Sequence, residues 1–198
     1  MSPRTGRRAG DSGTRGAVLA AARERFSELG YDGATIRAIA ADAGVDPALV
    51  HHFYGTKEQL FAEAVGFPAV PSDVLGQVMA GGLTTMGDSV ARTLLTLWET
   101  GDGGERIAAL LRSAVTNDAA MRMLREFLTS AILGAVAARL PAADAEFRVS
   151  LVASQVLGLA IARYVFQLGP LVDASVDEVA DAVGPTLQRY LTGRVSRR

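Results

Sequence analysis

The sequence predicts an all-α protein of about nine or ten helices, a small three-helix head followed by a larger helical body. Three observations lead there. Apolar residues recur three and four apart along most of the chain, with little of the strict alternation that marks strands. Residues 35–57 hold two short amphipathic helices joined by a tight turn and then the start of a third. The run Phe67-Pro68-Ala69-Val70-Pro71 interrupts the helical pattern and divides the chain. The expected organisation is a basic arm (1–12), a head (13–66) and a body (67–198).

Taken in order, Asp11 or Ser12 opens the first helix, whose inner face carries Val18, Ala22, Phe26 and Leu29. Thr35 caps the second, with Ile36, Ile39, Ala40 and Ala43 on one apolar face. Gly44 ends it, as a residue able to take positive φ should. Asp46 can cap the third helix, and Pro47 fits its first turn, where no N–H is missed. Val50 lies on the inner side of that helix, and Phe53 and Tyr54 close it. At Ala40, anything larger than a methyl would push the two helices apart. A small residue, glycine four later, then Val45 and Val50, is the spacing of a helix-turn-helix that sets its second helix in a DNA major groove. Thr56 and Gln59 make a capping box for a helix reaching about Val65.

In the body, a short helix over 72–80 ends at Gly81-Gly82. Asp88 is expected to cap a helix with Val90, Leu94, Leu97 and Trp98 on one face, and residues 101–104 to form a loop. Helices follow over 105–116, 118–140 (stopped at Pro141), 143–168 (stopped by Gly169-Pro170) and 176–191, where Gly184-Pro185 should introduce a kink. The two long helices carry stripes of small residues four apart: Ser130, Gly134 and Ala138, and Ser150, Ser154, Gly158 and Ala162. Such stripes let another helix approach closely, either within one chain or from a second one.

Composition narrows the function. With 49% apolar residues in 198, the chain can bury a sizeable core, and the absence of cysteine excludes disulfides, thiol chemistry and thiolate metal sites. The basic start has no apolar stretch after it, so no secretory signal is expected. The most apolar run, 149–168, is interrupted by Ser154, Gln155 and Arg163, which argues against a membrane span; the expected compartment is the cytoplasm. The only histidines, His51 and His52, lie inside the helix-turn-helix, and no phosphate-cradling glycine loop follows a strand. A hydrolase triad therefore has no base, and an enzyme is not expected. Neighbouring helical residues point about 100° apart, so the histidine pair alone is no metal site, and neither metal nor cofactor is expected. The net charge is only −1, but a nucleic-acid footprint is local: Arg4, Arg7, Arg8 and Arg15 face a single acid, Asp11, in the first 15 residues. That stretch is either a solubilising tail or a DNA-contacting arm.

The candidate DNA contacts are Thr35, Arg37, Pro47, Ala48, Leu49, His51, His52 and Lys57. The Thr35 hydroxyl and neighbouring amides can face a phosphate, and Arg37 can reach a phosphate or a base edge. Pro47, Ala48 and Leu49 offer apolar contact only, for instance to a thymine methyl, while His51 and His52 could donate to phosphates. Lys57, the one lysine beside 19 arginines, opens a helix whose amide dipoles also favour a phosphate.

The run Ala43-Gly44-Val45-Asp46-Pro47-Ala48-Leu49-Val50-His51-His52-Phe53-Tyr54-Gly55-Thr56-Lys57-Glu58-Gln59-Leu60 closely resembles the signature of the TetR family of transcriptional regulators. The resemblance reaches upstream through Gly30-Tyr31 and residues 33–39, and covers about 14–65. Beyond residue 66 it is looser, in helix order and in phrases such as Leu-Trp-Glu (97–99) and Ala-Arg-Tyr-Val (162–165). Lys57 stands where the family has its lysine. The family often has a hydroxyl near Leu49 and a tyrosine at His51, so direct base readout here is expected to be sparse, with more carried by DNA shape.

The resemblance implies a repressor that binds a palindromic operator as a homodimer and is released by a small molecule held in the C-terminal domain. Its dimer would use the two long helices, with Phe127, Ser130, Gly134, Ala138, Ser154, Gly158 and Ala162 as candidate interface residues. Its ligand would sit in a cavity bounded by the segments 72–84, 88–100, 105–116 and 143–168, and Met79, Leu83, Leu94, Trp98, Leu111, Met123, Phe127, Tyr164 and Phe166 are candidate wall residues. The alternative is a DNA-binding dimer controlled by a protein partner or by abundance, without a small-molecule switch. Arg112 and Arg163 are expected to snorkel to the surface, the other possibility being an acidic partner.

Overall fold

The computed structural model describes residues 9–195, and the described residues form eleven helices and no strand. The head comprises α1 (Ala9–Gly33), α2 (Ile36–Asp42), α3 (Pro47–Tyr54) and α4 (Lys57–Val65). The body comprises α5 (Pro71–Met79), α6 (Met86–Glu99), α7 (Gly103–Thr116), α8 (Asp118–Phe127), α9 (Ala145–Ala160), α10 (Gly169–Asp173) and α11 (Val176–Thr192). Two of these run on through π turns: α8 through Leu128–Leu133 into Gly134–Ala137, and α9 through Ile161–Val165.

The head's local rules hold. Thr35 Oγ1 accepts the Ala38 N–H at 3.2 Å and Asp46 Oδ1 the Ala48 N–H at 2.7 Å. Gly44 takes φ +66° and ends α2. Thr56 and Gln59 exchange bonds of 3.1 and 2.8 Å as a full capping box. Val18, Phe26, Ile39, Ala40, Val50, Leu60 and Phe61 have no exposed surface and form the head core. Arg25 forks onto Asp42 and ties α2 to α1, and the Tyr54 hydroxyl donates to the Arg15 carbonyl at 2.7 Å, anchoring the end of α3.

One member of the head core comes from the body. Phe127, at the end of α8, is fully buried with its ring 4.4 Å from Phe61, 5.2 Å from Tyr31 and 5.6 Å from Phe67. Beside it Glu126 accepts the Tyr31 N–H at 3.2 Å. This approach explains a break inside α1: Gly30 has φ +72°, and a Cβ there would lie 1.9 Å from the Glu126 carboxylate. Only glycine takes that backbone without strain.

The body core gathers Met86, Val90, Ala91, Leu95 and Trp98 of α6 with Ile107 and Leu111 of α7, Val149 and Val152 of α9, and Val179, Leu187 and Leu191 of α11. α6 lies along α11, held by Arg92, which joins Asp88 of its own helix to Asp177 and Asp181. Gln188 reinforces the contact, accepting from Gly87 N and donating to the Leu83 carbonyl, both at 2.8 Å. Asp88 is therefore not the cap of α6, which starts two residues earlier at Met86 and has no side-chain cap; Arg92 occupies the carboxylate instead. Residues 145–165, through the π turn, are long and apolar enough to cross a membrane by length and composition alone, yet Arg163 within them is buried on an acidic partner.

Candidate functional site

The candidate DNA contacts lie on α2 and its cap, on α3 and at the start of α4. Thr35, Arg37, Ala48, Leu49, His51 and His52 are exposed, and Pro47 and Lys57 half-buried. Leu49, at 40% exposure, is an apolar side chain held out to solvent, while its neighbour Val50, about 100° round the helix, is closed in the head core. His51 Nδ1 lies 2.7 Å from the Gly55 carbonyl. A carbonyl can only accept, so Nδ1 carries a proton and is spent on the end of α3, leaving Nε2 to face outward.

Lys57 points back to the end of α1. Its ammonium donates to the Asp32 carbonyl at 3.3 Å and sits 4.7 Å from the Tyr31 ring centroid. Burial pulls its pKa below the ordinary lysine value, opposed by the Asp32 carboxylate. Tyr31 thus touches Lys57 on one side and Phe127 and Glu126 on the other. The candidate phosphate contact is thereby one residue removed from the body. Arg4, Arg7 and Arg8 of the basic arm lie outside the described residues.

Behind the head lie two hollows. One, of about 160 Å³, is bounded by α5, α6, α7, α8 and α9 and is almost wholly apolar. Of the candidate wall residues, Leu94, Trp98 and Leu111 line it. Met79 and Leu83 pack against the body core without reaching it. Phe166 stands 71% exposed, and Tyr164 stacks edge-on to Trp98 from outside. Leu124, Leu128, Leu133 and Val136 also line it, so the first of the two long helices closes the cavity, though not through Met123 or Phe127. The other hollow, a cleft of about 400 Å³, opens between head and body. Met123 lies there, together with Arg23 of α1 and Arg106 of α7.

Phe127 stands in neither of the places expected of it: its ring completes the head core, and no surface remains for a ligand or a second chain. The other candidate interface residues share an open face. Ser130, Gly134, Ala138, Ser154 and Gly158 are exposed and Ala162 is half-buried, and nothing stands within 4 Å of where a Cβ at Gly158 would be.

Arg163 is the clearest correction among the charges. It is 6% exposed and does not snorkel. The π turn of 161–165 aims it at Glu99 (2.9 Å) and at the carbonyls of Leu171 and Ala174 (3.0 Å to the latter). Glu99 also accepts the Tyr164 hydroxyl at 2.6 Å. Tyr164 first and Arg163 next hold the Glu99 carboxyl below its ordinary range, while burial and Glu99 push the Tyr164 hydroxyl up. Arg112, by contrast, is exposed. Sequence reasoning missed Arg23, Arg106, Glu99 and Glu126. Each acts on a partner 40 to 95 positions away, and no local pattern carries that information.

Comparison with known proteins places this geometry. The family model described as bacterial regulatory proteins, tetR family, matches residues 18–64, and the one described as tetracyclin repressor-like, C-terminal domain, matches 85–191. A TetR-family regulator of Streptomyces coelicolor A3 is 38% identical, the match covering 95% of this chain and 99% of that one, with a TM-score of 0.49. A transcriptional regulator of Rhodococcus sp. Rha1 is 23% identical over 92% of this chain and 99% of that one, with a TM-score of 0.50, and shares the fold. The HTH-type transcriptional repressor AcnR of Corynebacterium jeikeium is 41% identical over 46 residues, 23% of this chain; the matched stretch spans 24% of that repressor's length.

Proposed function

The chain belongs to the tetR family of bacterial regulators, DNA-binding transcription factors rather than enzymes, and from that premise we propose that it is a cytoplasmic homodimeric repressor, released from a palindromic operator by a small molecule in its body. The observation that carries the proposal is the exposed face of α2 to α4. It presents Arg37, Ala48, Leu49, His51 and His52 outward while Val50 and Tyr54 lock the same helix to the head. A single such helix touches too few base pairs to select a genomic site, whereas a two-fold pair reads two half-sites. The exposed small-residue face of the two long helices supplies a surface for that pairing. The kinship of the head to a named repressor supports repression.

On DNA, Pro47, Ala48 and Leu49 supply apolar contact, Thr35 and Lys57 meet phosphates, and Arg37 and His52 reach phosphate or base edges. His51 reaches a phosphate or a base edge through its outward Nε2, the other ring nitrogen being held by the Gly55 carbonyl. Lys57 reaches a phosphate by leaving the Asp32 carbonyl, so the contact competes with an existing 3.3 Å bond. The test is operator titration across a salt series. Lys57→Ala is expected to weaken specific and non-specific binding alike and to flatten the salt slope by about one phosphate contact. His51→Ala is expected to cost roughly 1–3 kcal/mol on the operator alone. A double variant with unchanged affinity and slope removes groove docking by this face. For assembly, sedimentation is expected to show a dimer, shifted toward monomer by Gly158→Leu; a wild-type monomer at micromolar concentration rejects it.

One observation favours the second reading, a dimer without a small-molecule switch. The apolar cavity of about 160 Å³ is smaller than the roughly 300–1,000 Å³ of ordinary ligand sites. A ligand must also prefer one arrangement of the heads: a tenfold change in operator affinity needs at least about 1.4 kcal/mol of preference.

A further inference from the structure

The two hollows share a wall. Leu110 and Leu124 line both the apolar cavity and the cleft between head and body. Leu110 and Leu124 therefore stand between an apolar chamber and a larger, partly polar one. The two chambers are chemically unlike. Two arginines line the cleft, and no Asp or Glu does. Arg106, half-buried, donates through Nε to the Gly66 carbonyl at 3.3 Å and through Nη2 to the Phe67 carbonyl at 2.9 Å. Arg23, at the exposed rim, donates through Nε to the Ala64 carbonyl at 3.0 Å. Among the described residues neither guanidinium forms an ion pair, unlike Arg25, Arg92, Arg148 and Arg163. Their charge is met only by the neutral carbonyls at the end of α4. A guanidinium in that position binds an anion more strongly than another neutral group.

We infer that the cleft holds the acidic head group of an amphipathic acid, whose apolar tail passes between Leu110 and Leu124 into the cavity beside Trp98. The inference rests on the small-molecule reading above and names its ligand class: one carboxylate on an unbranched apolar chain. It also answers the objection of size, because the ligand occupies both hollows and not the small one alone. The placement supplies a coupling as well. The arginine that meets the carboxylate also holds the Gly66 and Phe67 carbonyls, where α4 leaves the head. An anion that draws Arg106 toward itself loosens the grip of the body on that end.

Decanoate, decanamide and decan-1-ol distinguish the parts of this inference, with binding measured by calorimetry on the full chain. The single tryptophan reports the tail, since 10-bromodecanoate quenches Trp98 only on close approach. The expected result is decanoate bound at least tenfold more tightly than decanamide, with quenching by the bromo acid and weakened operator binding. Arg106→Gln is expected to lower decanoate affinity tenfold or more and leave decanamide unchanged; Arg23→Gln, at the rim, gives the same contrast more weakly should Arg106→Gln fold poorly. Equal binding of acid and amide overturns the inference, as does acid binding without quenching of Trp98. If decan-1-ol binds and releases operator while the acid has no advantage, the ligand class is wrong and the small-molecule switch stands. If none of the three binds the folded chain, the inference is overturned, while the small-molecule reading falls only with an operator affinity that no ligand changes.

Discussion

In the head, the helices α2, α3 and α4 each begin with a side-chain cap, from Thr35, Asp46 and Thr56. In the body only α8 and α11 do, through Asn117 and Ser175, while α5, α6, α7, α9 and α10 have none. The cores differ in the same sense. Phe26, Ile39, Leu60 and Phe61 fill the head with no exposed surface, whereas the body bounds an apolar cavity and bends its long helices through π turns. The head is written in short-range signals and packed solid, as suits a part that must present a fixed face to a groove. The body is held by contacts distant in sequence and leaves room, as suits a part whose shape is to respond. π turns inserted in helices are themselves frequent at functional sites.

The largest expected effect tests whether the head is as self-contained as its caps suggest. Phe127 belongs to a body helix, yet its ring fills the head core between Phe61, Tyr31 and Phe67. Phe127→Ala is expected to cost about 3–5 kcal/mol in denaturant unfolding, the range for a large aromatic removed from a sealed core. Operator affinity is expected to fall with it, because Tyr31 loses its support and Tyr31 carries Lys57. A cost under about 1 kcal/mol shows that the head closes without the body.

A smaller effect is expected at Glu99, where the body meets its own buried charge. Glu99→Gln leaves the Arg163 guanidinium, 6% exposed, without a carboxylate. Glu99 itself is 41% exposed, so solvent screening reduces the loss to about 1–3 kcal/mol at neutral pH. The pH dependence has a definite sign. Tyr164 and Arg163 lower the folded-state pKa of Glu99 beneath its ordinary 4.5. A carboxylate shifted down stabilises the fold above its unfolded value, and the contribution is lost as pH falls through the folded one. Urea titrations are expected to show a gap between wild type and variant that is constant above about pH 5 and narrows below 4.5. A gap that widens on acidification contradicts the Glu99–Arg163 pairing.

How much of this was legible in the sequence follows the same division. The head could be read almost residue by residue, because caps, the Gly44 turn and the Thr56–Gln59 box are decided within four positions; Leu29, expected on the inner face of α1, instead stands 49% exposed, just before the break that Gly30 makes in that helix. Breaks such as 67–71 placed the body helices within a few residues. The short α10 was not read, since Gly169-Pro170 signals a helix stop and equally an N-terminal proline. Asp88 looked like a cap because the partners that Arg92 joins it to, Asp177 and Asp181 on α11, lie 85 and 89 positions beyond that arginine. Arg163 looked exposed because the π turn that aims it inward has no signature in composition. Phe127 looked like a wall or interface residue because an apolar helical position does not say which neighbour will cover it.

The smallest effect returns to the head and sharpens its side of the comparison. The Asp46 carboxylate accepts the Ala48 N–H at 2.7 Å while Pro47 supplies the first turn of α3. Asp46→Ala removes an exposed cap and no buried contact, so the expected loss is about 1 kcal/mol. The loss should be local. Hydrogen exchange is expected to quicken at the first amides of α3 and to stay unchanged at Val50 and Tyr54, which Ile39, Ala40 and the Arg15 carbonyl hold from outside the helix. Asp46→Asn keeps an acceptor oxygen and is expected to restore most of the stability. If Asp46→Ala instead speeds exchange through the whole of α3, the recognition helix depends on its cap rather than on its packing. The head would then owe its rigidity to the same kind of sparse contact that shapes the body.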